Sequence, residues 1–101
     1  MDHTPGLPSL GLTGQEISSF EHICYNIPLG FYITQVKSGS TAEIAGIQPG
    51  DILLYFNGVR ISNVDILKTA LYAHSARDKV TLFLYRQGGE FSVELYLEAA
   101  Q

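Results

Sequence analysis

Two glycines near the start of the chain could leave the backbone open to a binding partner. They lie in the run Ser9-Leu10-Gly11-Leu12-Thr13-Gly14, where apolar residues alternate with small or polar ones. This alternation predicts a half-buried strand, in which glycine needs a specific reason. Glycine permits close approach and unusual dihedral angles, as a cluster of backbone N–H donors requires in order to hold a carboxylate. From these residues alone, a core strand with a glycine bulge is the simpler interpretation.

Side chains that could catalyse a reaction are few and isolated. The sequence has no Gly-x-Ser-x-Gly elbow, no Walker loop, no His-Glu-x-x-His and no paired cysteines. We interpret His3, His22 and His74 as solvated side chains. Cys24 has no basic neighbour, so we expect it to be a small buried apolar residue. We therefore expect no catalytic residue, no metal ligand and no cofactor in this chain.

Composition predicts one globular domain. The chain has 101 residues, of which 46% are hydrophobic and 16% charged. The net charge is −4 and the six basic residues are scattered, which argues against nucleic acid as a partner. No apolar run approaches the roughly 20 residues of a membrane span, and no signal peptide is evident, so we expect a soluble fragment. Residues 1–8 are predicted to be a poorly ordered linker or cloning remnant, and residues 9–101 a single domain.

Turn and capping signals divide the domain into short elements. Ser18 begins a short helix, and residues 31–36 read as a strand. Ser40 and Glu43 form a capping-box pattern before a second short helix that ends at Gly46. Asn57-Gly58 predicts a hairpin turn between strands at residues 51–56 and 59–61.

The longest helix is predicted from about Val64 to Ala73 or His74, followed by strands at residues 79–86 and 90–98. This order predicts an α+β domain built on a small, mostly antiparallel, partly open barrel or sandwich of five or six strands. The apolar arc of the long helix is wider than core contact requires. We assign four of its residues to the core, namely Ile66, Leu67, Ala70 and Ala73.

Several motifs of the chain resemble those of a PDZ domain. They are Leu10-Gly11-Leu12-Thr13-Gly14, the strand from Gly30 to Val36, Ala45-Gly46-Ile47, Gly50-Asp51-Ile52-Leu53 and Asn57-Gly58. The order and spacing are similar to the PDZ type of bacterial HtrA/DegP serine proteases, and the resemblance extends from Leu10 to Glu98. The fold that it implies agrees with the fold class predicted from the elements.

The resemblance implies a peptide site with three parts. Leu10, Gly11 and Leu12 would form a carboxylate-binding loop, and Leu12, Thr13 and Gly14 a strand that pairs with the peptide. Val64, Lys68 and Leu71 would form the helical wall of the groove. Taken alone, Val64 and Leu71 are better explained as core residues, and only the resemblance makes the groove an equal alternative. Lys68, taken alone, is explained as a solvated side chain. No arginine precedes Leu10 to assist carboxylate binding.

Two functions remain open on this basis. The first is a noncatalytic module that captures polypeptide C-termini or extended hydrophobic segments by strand addition, linked covalently to a trypsin-like protease domain. The second is an assembly or regulatory module of another envelope protease or secretion protein, with its groove filled in cis or by a neighbouring subunit of an oligomer. In both cases the resemblance implies that the parent works outside the bacterial cytoplasm, in the cell envelope or at the cell surface.

Overall fold

A six-stranded antiparallel sheet forms the centre of the protein, seen in a computed structural model that describes residues 8–99. Its strands are β2 (Leu12–Glu16), β3 (Phe31–Val36), β4 (Ile52–Phe56), β5 (Val59–Arg60), β6 (Lys79–Arg86) and β7 (Gly89–Tyr96). The order across the sheet is β2-β3-β4-β6-β7, and β5 pairs with β4. β2 and β7 are therefore the two edge strands. Together with three short helices, this confirms the predicted α+β, mostly antiparallel and open architecture.

A separate two-stranded ribbon joins the beginning and the end of the described chain. It consists of β1 (Pro8–Ser9) and β8 (Glu98–Ala99), which pair antiparallel. The predicted strand at Ser9–Gly14 is thus divided in two, because Gly11 turns the backbone with φ +73°. Residues 1–7 of the predicted linker lie outside the described residues.

The helices begin where the sequence predicts them. α1 (Ser19–Cys24) has Ser18 as its N-cap, with a complete capping box to Glu21. α2 (Thr41–Ile44) is capped by Ser40, but the Glu43 carboxylate accepts from the amide of Gly39 (2.7 Å) rather than from Ser40. α3 (Val64–Tyr72) is capped by the Asn63 side chain. Oxygen-bearing side chains at these positions satisfy amides that the first helical turn leaves free.

The main core lies between the sheet and α3. It contains aliphatic and aromatic side chains from every strand of the sheet path except β2, together with Leu10, Ala42, Ile47, Ile61, Leu67 and Ala70. A smaller cluster on the other face contains Ile17, Ile52 and Leu54. Two of the four core assignments on α3 are confirmed, Leu67 and Ala70. Ile66 is half-buried and also packs against the main core, whereas Ala73, the C-cap residue that follows α3, is exposed.

Two other side chains differ from their predicted environments. Cys24 is exposed, since α1 buries none of its residues and rests on the domain through its flanking segments. His74 is half-buried rather than solvated, because its ring lies 5.5 Å from the ring of Phe56 and its Nδ1 lies 3.5 Å from the Asp78 carboxylate. His22 is exposed as predicted.

An ion pair with one buried partner, Asp51, links the residue before β4 to the last residue of β6. Asp51 is 1% exposed and accepts hydrogen bonds from Nε and Nη2 of Arg86, both at 2.7 Å. The guanidinium also donates to the carbonyl of Gly46 and lies over the Phe91 ring at 4.5 Å. The hydrogen bond to Asp51 raises the pKa of Arg86, so the guanidinium remains a charged donor in this bidentate contact.

Candidate functional site

The free edge of β2 is the feature that the predicted site requires. β2 pairs with β3 on one side, and no other described strand pairs with it. The carbonyls of Gly11 and Thr13 point toward β3, where they accept from the Lys37 amide (2.8 Å) and the Thr34 hydroxyl (3.0 Å). Because successive backbone groups alternate sides along a strand, those of Leu12 and Gly14 point to the free edge.

The loop before β2 has space only for glycine. A Cβ on Gly11 would lie 2.7 Å from Cβ of Ser40, and its φ of +73° is rare for other residues. The Gly11 amide donates to Oγ of Ser9 at 3.3 Å. The Glu98 carboxylate lies beside this loop and accepts from the Thr41 amide at 2.8 Å. Because the Glu98 side chain is negatively charged, it would not attract an anion. An anion bound here would therefore depend on the backbone amides of the loop, as in the predicted carboxylate loop.

Gly14 brings β2 close to the core. A Cβ on Gly14 would lie 2.2 Å from the Tyr32 carbonyl oxygen and 2.8 Å from two ring carbons of Phe31. The pairing register with β3 shifts between Thr13 and Gly14, so β2 is irregular at this point. The Phe31 ring thus occupies the space that a side chain at position 14 would take.

α3 and β2 are connected at one end. Oε2 of Glu16, the last residue of β2, accepts from the amide of Val64, the first residue of α3, at 2.9 Å. Val64, Lys68 and Leu71 lie on one face of the helix by their spacing. Val64 and Leu71 are half-buried and pack against the main core, whereas Lys68 is exposed.

The predicted loop residues differ in how accessible they are. Leu10 is 5% exposed and belongs to the main core, so its side chain lies beneath the loop. Leu12 is half-buried and packs against the same core, and Thr13 is exposed. The structure therefore offers backbone groups from this loop together with the partly exposed side chains of Leu12, Val64 and Leu71.

Three recesses lie around these elements; the first adjoins the predicted loop and strand, and the sequence did not predict the other two. One of about 560 Å³ lies beside the loop, lined by Leu12, Thr13 and residues 34–37. One of about 360 Å³ lies on the opposite flank of α3, lined in part by Val59, Ile66 and Ala73. The third, of about 230 Å³, lies between residues 15–17, Glu21, Tyr25, Ile27 and Tyr32. Two tyrosines on either side of the Pro28-Leu29-Gly30 segment, Tyr25 and Tyr32, were the available sequence signal for the third recess.

Residues 8–99 contain no group of three or more His, Cys, Asp or Glu side chains that could hold a metal ion. None of the described helices has the length and apolar character needed to cross a membrane.

Comparison with known proteins identifies the family. The family model described as PDZ domain matches residues 8–97. A probable periplasmic serine endoprotease DegP-like from Hahella chejuensis is 34% identical over 86 residues, covering 83% of this chain and 18% of that protein. The periplasmic serine endoprotease DegP of Escherichia coli K12 is 32% identical over 91 residues, covering 88% of this chain and 19% of that protein.

Solved structures share the fold. The PDZ domain of HtrA3 bound to a phage-derived ligand (FGRWV) has a TM-score of 0.78 and 22% identity, covering 92% of this chain and 86% of that one. The HtrA-type protease AlgW with a decapeptide has a TM-score of 0.83 and 14% identity, covering 95% of this chain and 30% of that one. The chain spans about a fifth of the length of the two curated relatives named above. With a family match over residues 8–97, the chain belongs to the PDZ domain family.

Proposed function

We propose that this domain binds the C-terminal segment of a polypeptide as an additional strand on β2. The observation that carries the proposal is the unpaired edge of β2, which lies next to α3 and exposes the backbone groups of Leu12 and Gly14. A peptide in this position would form main-chain hydrogen bonds with β2, while alternate side chains would point toward the helix. Leu12, Val64 and Leu71 would contact those side chains, and Lys68 would lie at the rim.

The end of the peptide would meet the loop at residues 10–12. An antiparallel peptide runs opposite to β2, so its C-terminus lies at the Leu12 end of the strand. Gly11 lets the backbone turn there without a side chain in the way. We infer that the amides of Leu10 and Leu12 hold the carboxylate, together with the Gly11 amide once it exchanges its hydrogen bond to Oγ of Ser9 for one to the peptide. Convergent backbone N–H groups form a favourable anion site.

The parent protein is a further part of the proposal. The curated relatives named above are serine endoproteases, and this chain matches less than a fifth of each. We therefore propose a parent of the HtrA/DegP type that works outside the cytoplasm. In it this domain would recognise substrates or regulators, and a covalently linked domain would perform the hydrolysis. The decapeptide and the FGRWV ligand of two structural relatives support peptide capture as the role.

One observation favours the alternative role in assembly. Phe20, Ile23 and Tyr25 of the α1 segment are 68%, 76% and 66% exposed. Large apolar side chains grouped on one segment often mark a contact with another protein surface. Light scattering of the longer protein with and without this domain would test the role, since an assembly module requires the oligomer to dissociate when the domain is removed.

Peptide titration tests the main proposal directly. A fluorescent peptide ending in valine is compared with the same peptide carrying an amidated C-terminus. We expect the free acid to bind at least about tenfold more tightly, because the amide loses charge-assisted hydrogen bonds to the loop. Equal affinity of the two forms would contradict the carboxylate site, and the absence of binding by peptides ending in Val, Leu, Ile, Phe or Ala would contradict the groove.

A further inference from the structure

The recess between β2 and α1 lies where a bound peptide would direct one of its side chains. Gln15 and Tyr32 are paired across β2 and β3, both are exposed, and both line the recess. Side chains directly opposite each other in a sheet lie on the same face. A peptide residue opposite Gln15 would therefore point toward this recess and away from α3.

The register identifies which peptide residue this is. If the last residue of an antiparallel peptide lies opposite Leu12, the second lies opposite Thr13, the third opposite Gly14 and the fourth opposite Gln15. Side chains alternate faces along a strand, so the second and fourth residues from the C-terminus share the outer face. Only the fourth lies beside the lining residues Gln15 and Tyr32.

The lining indicates the chemistry of the occupant. Ile17 is buried, Ile27 is half-buried, and both belong to or pack against the smaller apolar cluster. Tyr25 and Tyr32 add two aromatic rings, and Glu21 supplies a carboxylate. Glu16 also lines the recess, but its carboxylate accepts from the Val64 amide at the start of α3. The described lining contains no lysine or arginine. An apolar floor suits the methylene stem of a long basic side chain, and aromatic rings with a nearby carboxylate suit its charge.

We propose that this recess is a specificity subsite for an arginine or lysine at the fourth position from the C-terminus of the bound peptide. This inference rests on the proposed function, because it takes its register from a peptide paired with β2. The Glu21 carboxylate already accepts from the Ser18 amide at 3.0 Å, which fixes it at the start of α1. The cation would thus meet a positioned charge rather than a freely moving one.

A peptide series of the form Ala-Ala-X-Ala-Ala-Val with a free C-terminus tests the subsite. With X at the fourth position from the end, we expect arginine to bind about fivefold more tightly than glutamine, the size expected for one exposed ion pair together with a cation–π contact. Glutamate at X should bind more weakly than glutamine. Moving the arginine to the fifth position should remove the gain, which separates a local subsite from general attraction to an acidic protein.

Variants of the domain give the complementary test. Glu21→Gln retains the capping box, since glutamine also serves at that position, and removes the charge. We expect it to reduce the arginine preference to about twofold, an effect of the size measured for exposed ion pairs, while the peptide with alanine at X binds as before. Glu90→Gln, on the other edge strand, removes the same charge away from the recess and should leave the preference intact.

The outcomes separate the two proposals. If the Val-terminated peptides bind through their carboxylate but X makes no difference, the subsite is wrong and the groove stands. The subsite is also wrong if arginine raises peptide affinity equally at the fourth and fifth positions. The same holds if Glu90→Gln reduces the arginine preference as much as Glu21→Gln does. If no peptide in the series binds and amidation has no effect, the groove itself is refuted, and the subsite falls with it.

Discussion

The two edge strands of the sheet differ in how their free edges are protected. β7 spans eight residues, exposes Glu90 and Glu94, and pairs with β6 without a break. Glu94 lies 3.1 Å from Nζ of Lys79, and the hydroxyl of Thr41 donates to the carbonyl of Tyr96 at 2.8 Å. Charges and covering contacts of this kind discourage pairing with another chain.

β2 lacks most of these features. It spans five residues, carries no charge from Leu12 to Gln15, and has an irregular register with β3. Its one charged residue, Glu16, is the last residue of the strand. The Glu16 carboxylate accepts a hydrogen bond from the first residue of α3. The comparison favours β2 over β7 as the edge to which a further strand would be added. The predictions below separate the β2 edge from the rest of the sheet.

The largest expected effect is on stability, from removing the ion pair between Asp51 and Arg86, which lies between the two edge strands. Arg86→Met leaves the buried Asp51 carboxylate without its charged partner, and we expect a loss of about 3 kcal/mol in the free energy of unfolding. Urea unfolding measures it. Peptide affinity of the folded fraction should be unchanged, because β2 is not involved. Lys79→Met, which breaks an exposed pair, is the control and should change stability little.

The second test adds one methyl group to each edge strand by a glycine-to-alanine substitution. Gly14→Ala would place Cβ against the Tyr32 carbonyl and the Phe31 ring, so we expect about 2 kcal/mol of destabilisation from overpacking. Peptide affinity should fall as well, because β2 must move. Gly89→Ala is the matched change on β7, where the nearest atom lies 3.7 Å away. If the two substitutions changed the free energy of unfolding and the peptide affinity equally, the proposed difference between the β2 and β7 edges would be refuted.

The third and smallest change addresses the helical wall. Leu71→Arg should lower peptide affinity about tenfold, the loss expected from an apolar contact replaced by a charge. Leu71 also packs against the core, but its half-exposed position lets the arginine head reach solvent, so we expect only about 1 kcal/mol of destabilisation. Ile44→Arg makes the same exchange on α2, at a residue far more exposed, and serves as the control. Unchanged affinity in Leu71→Arg would remove this residue from the groove.

Local signals in the sequence predicted the elements well. Ser18, Ser40 and Asn57-Gly58 mark caps and a turn that depend on neighbouring residues alone, and each is present in the structure. The strand at residues 31–36 agrees with the prediction at both ends. The predicted strand at residues 90–98 is instead interrupted at Leu97, between β7 and β8.

Features that depend on distant contacts could not be predicted in the same way. Burial of Leu10 and exposure of Cys24 and Ala73 depend on which face of each element meets the sheet. The spacing of apolar residues in the sequence predicts which face of a helix is apolar. It does not predict how much of that face the neighbouring element covers. The crowding around Gly14 likewise needs the position of Phe31, seventeen residues further along the chain.

Amide hydrogen exchange with and without a saturating Val-terminated peptide tests the open edge of β2 most directly. The backbone groups of Leu12 and Gly14 point away from β3, so their amides should exchange rapidly in the free domain and slowly in the complex. The edge-facing amides of β7 should exchange at the same rate in both states. Protection of β7, or saturated binding that leaves Leu12 and Gly14 unprotected, would contradict strand addition at β2.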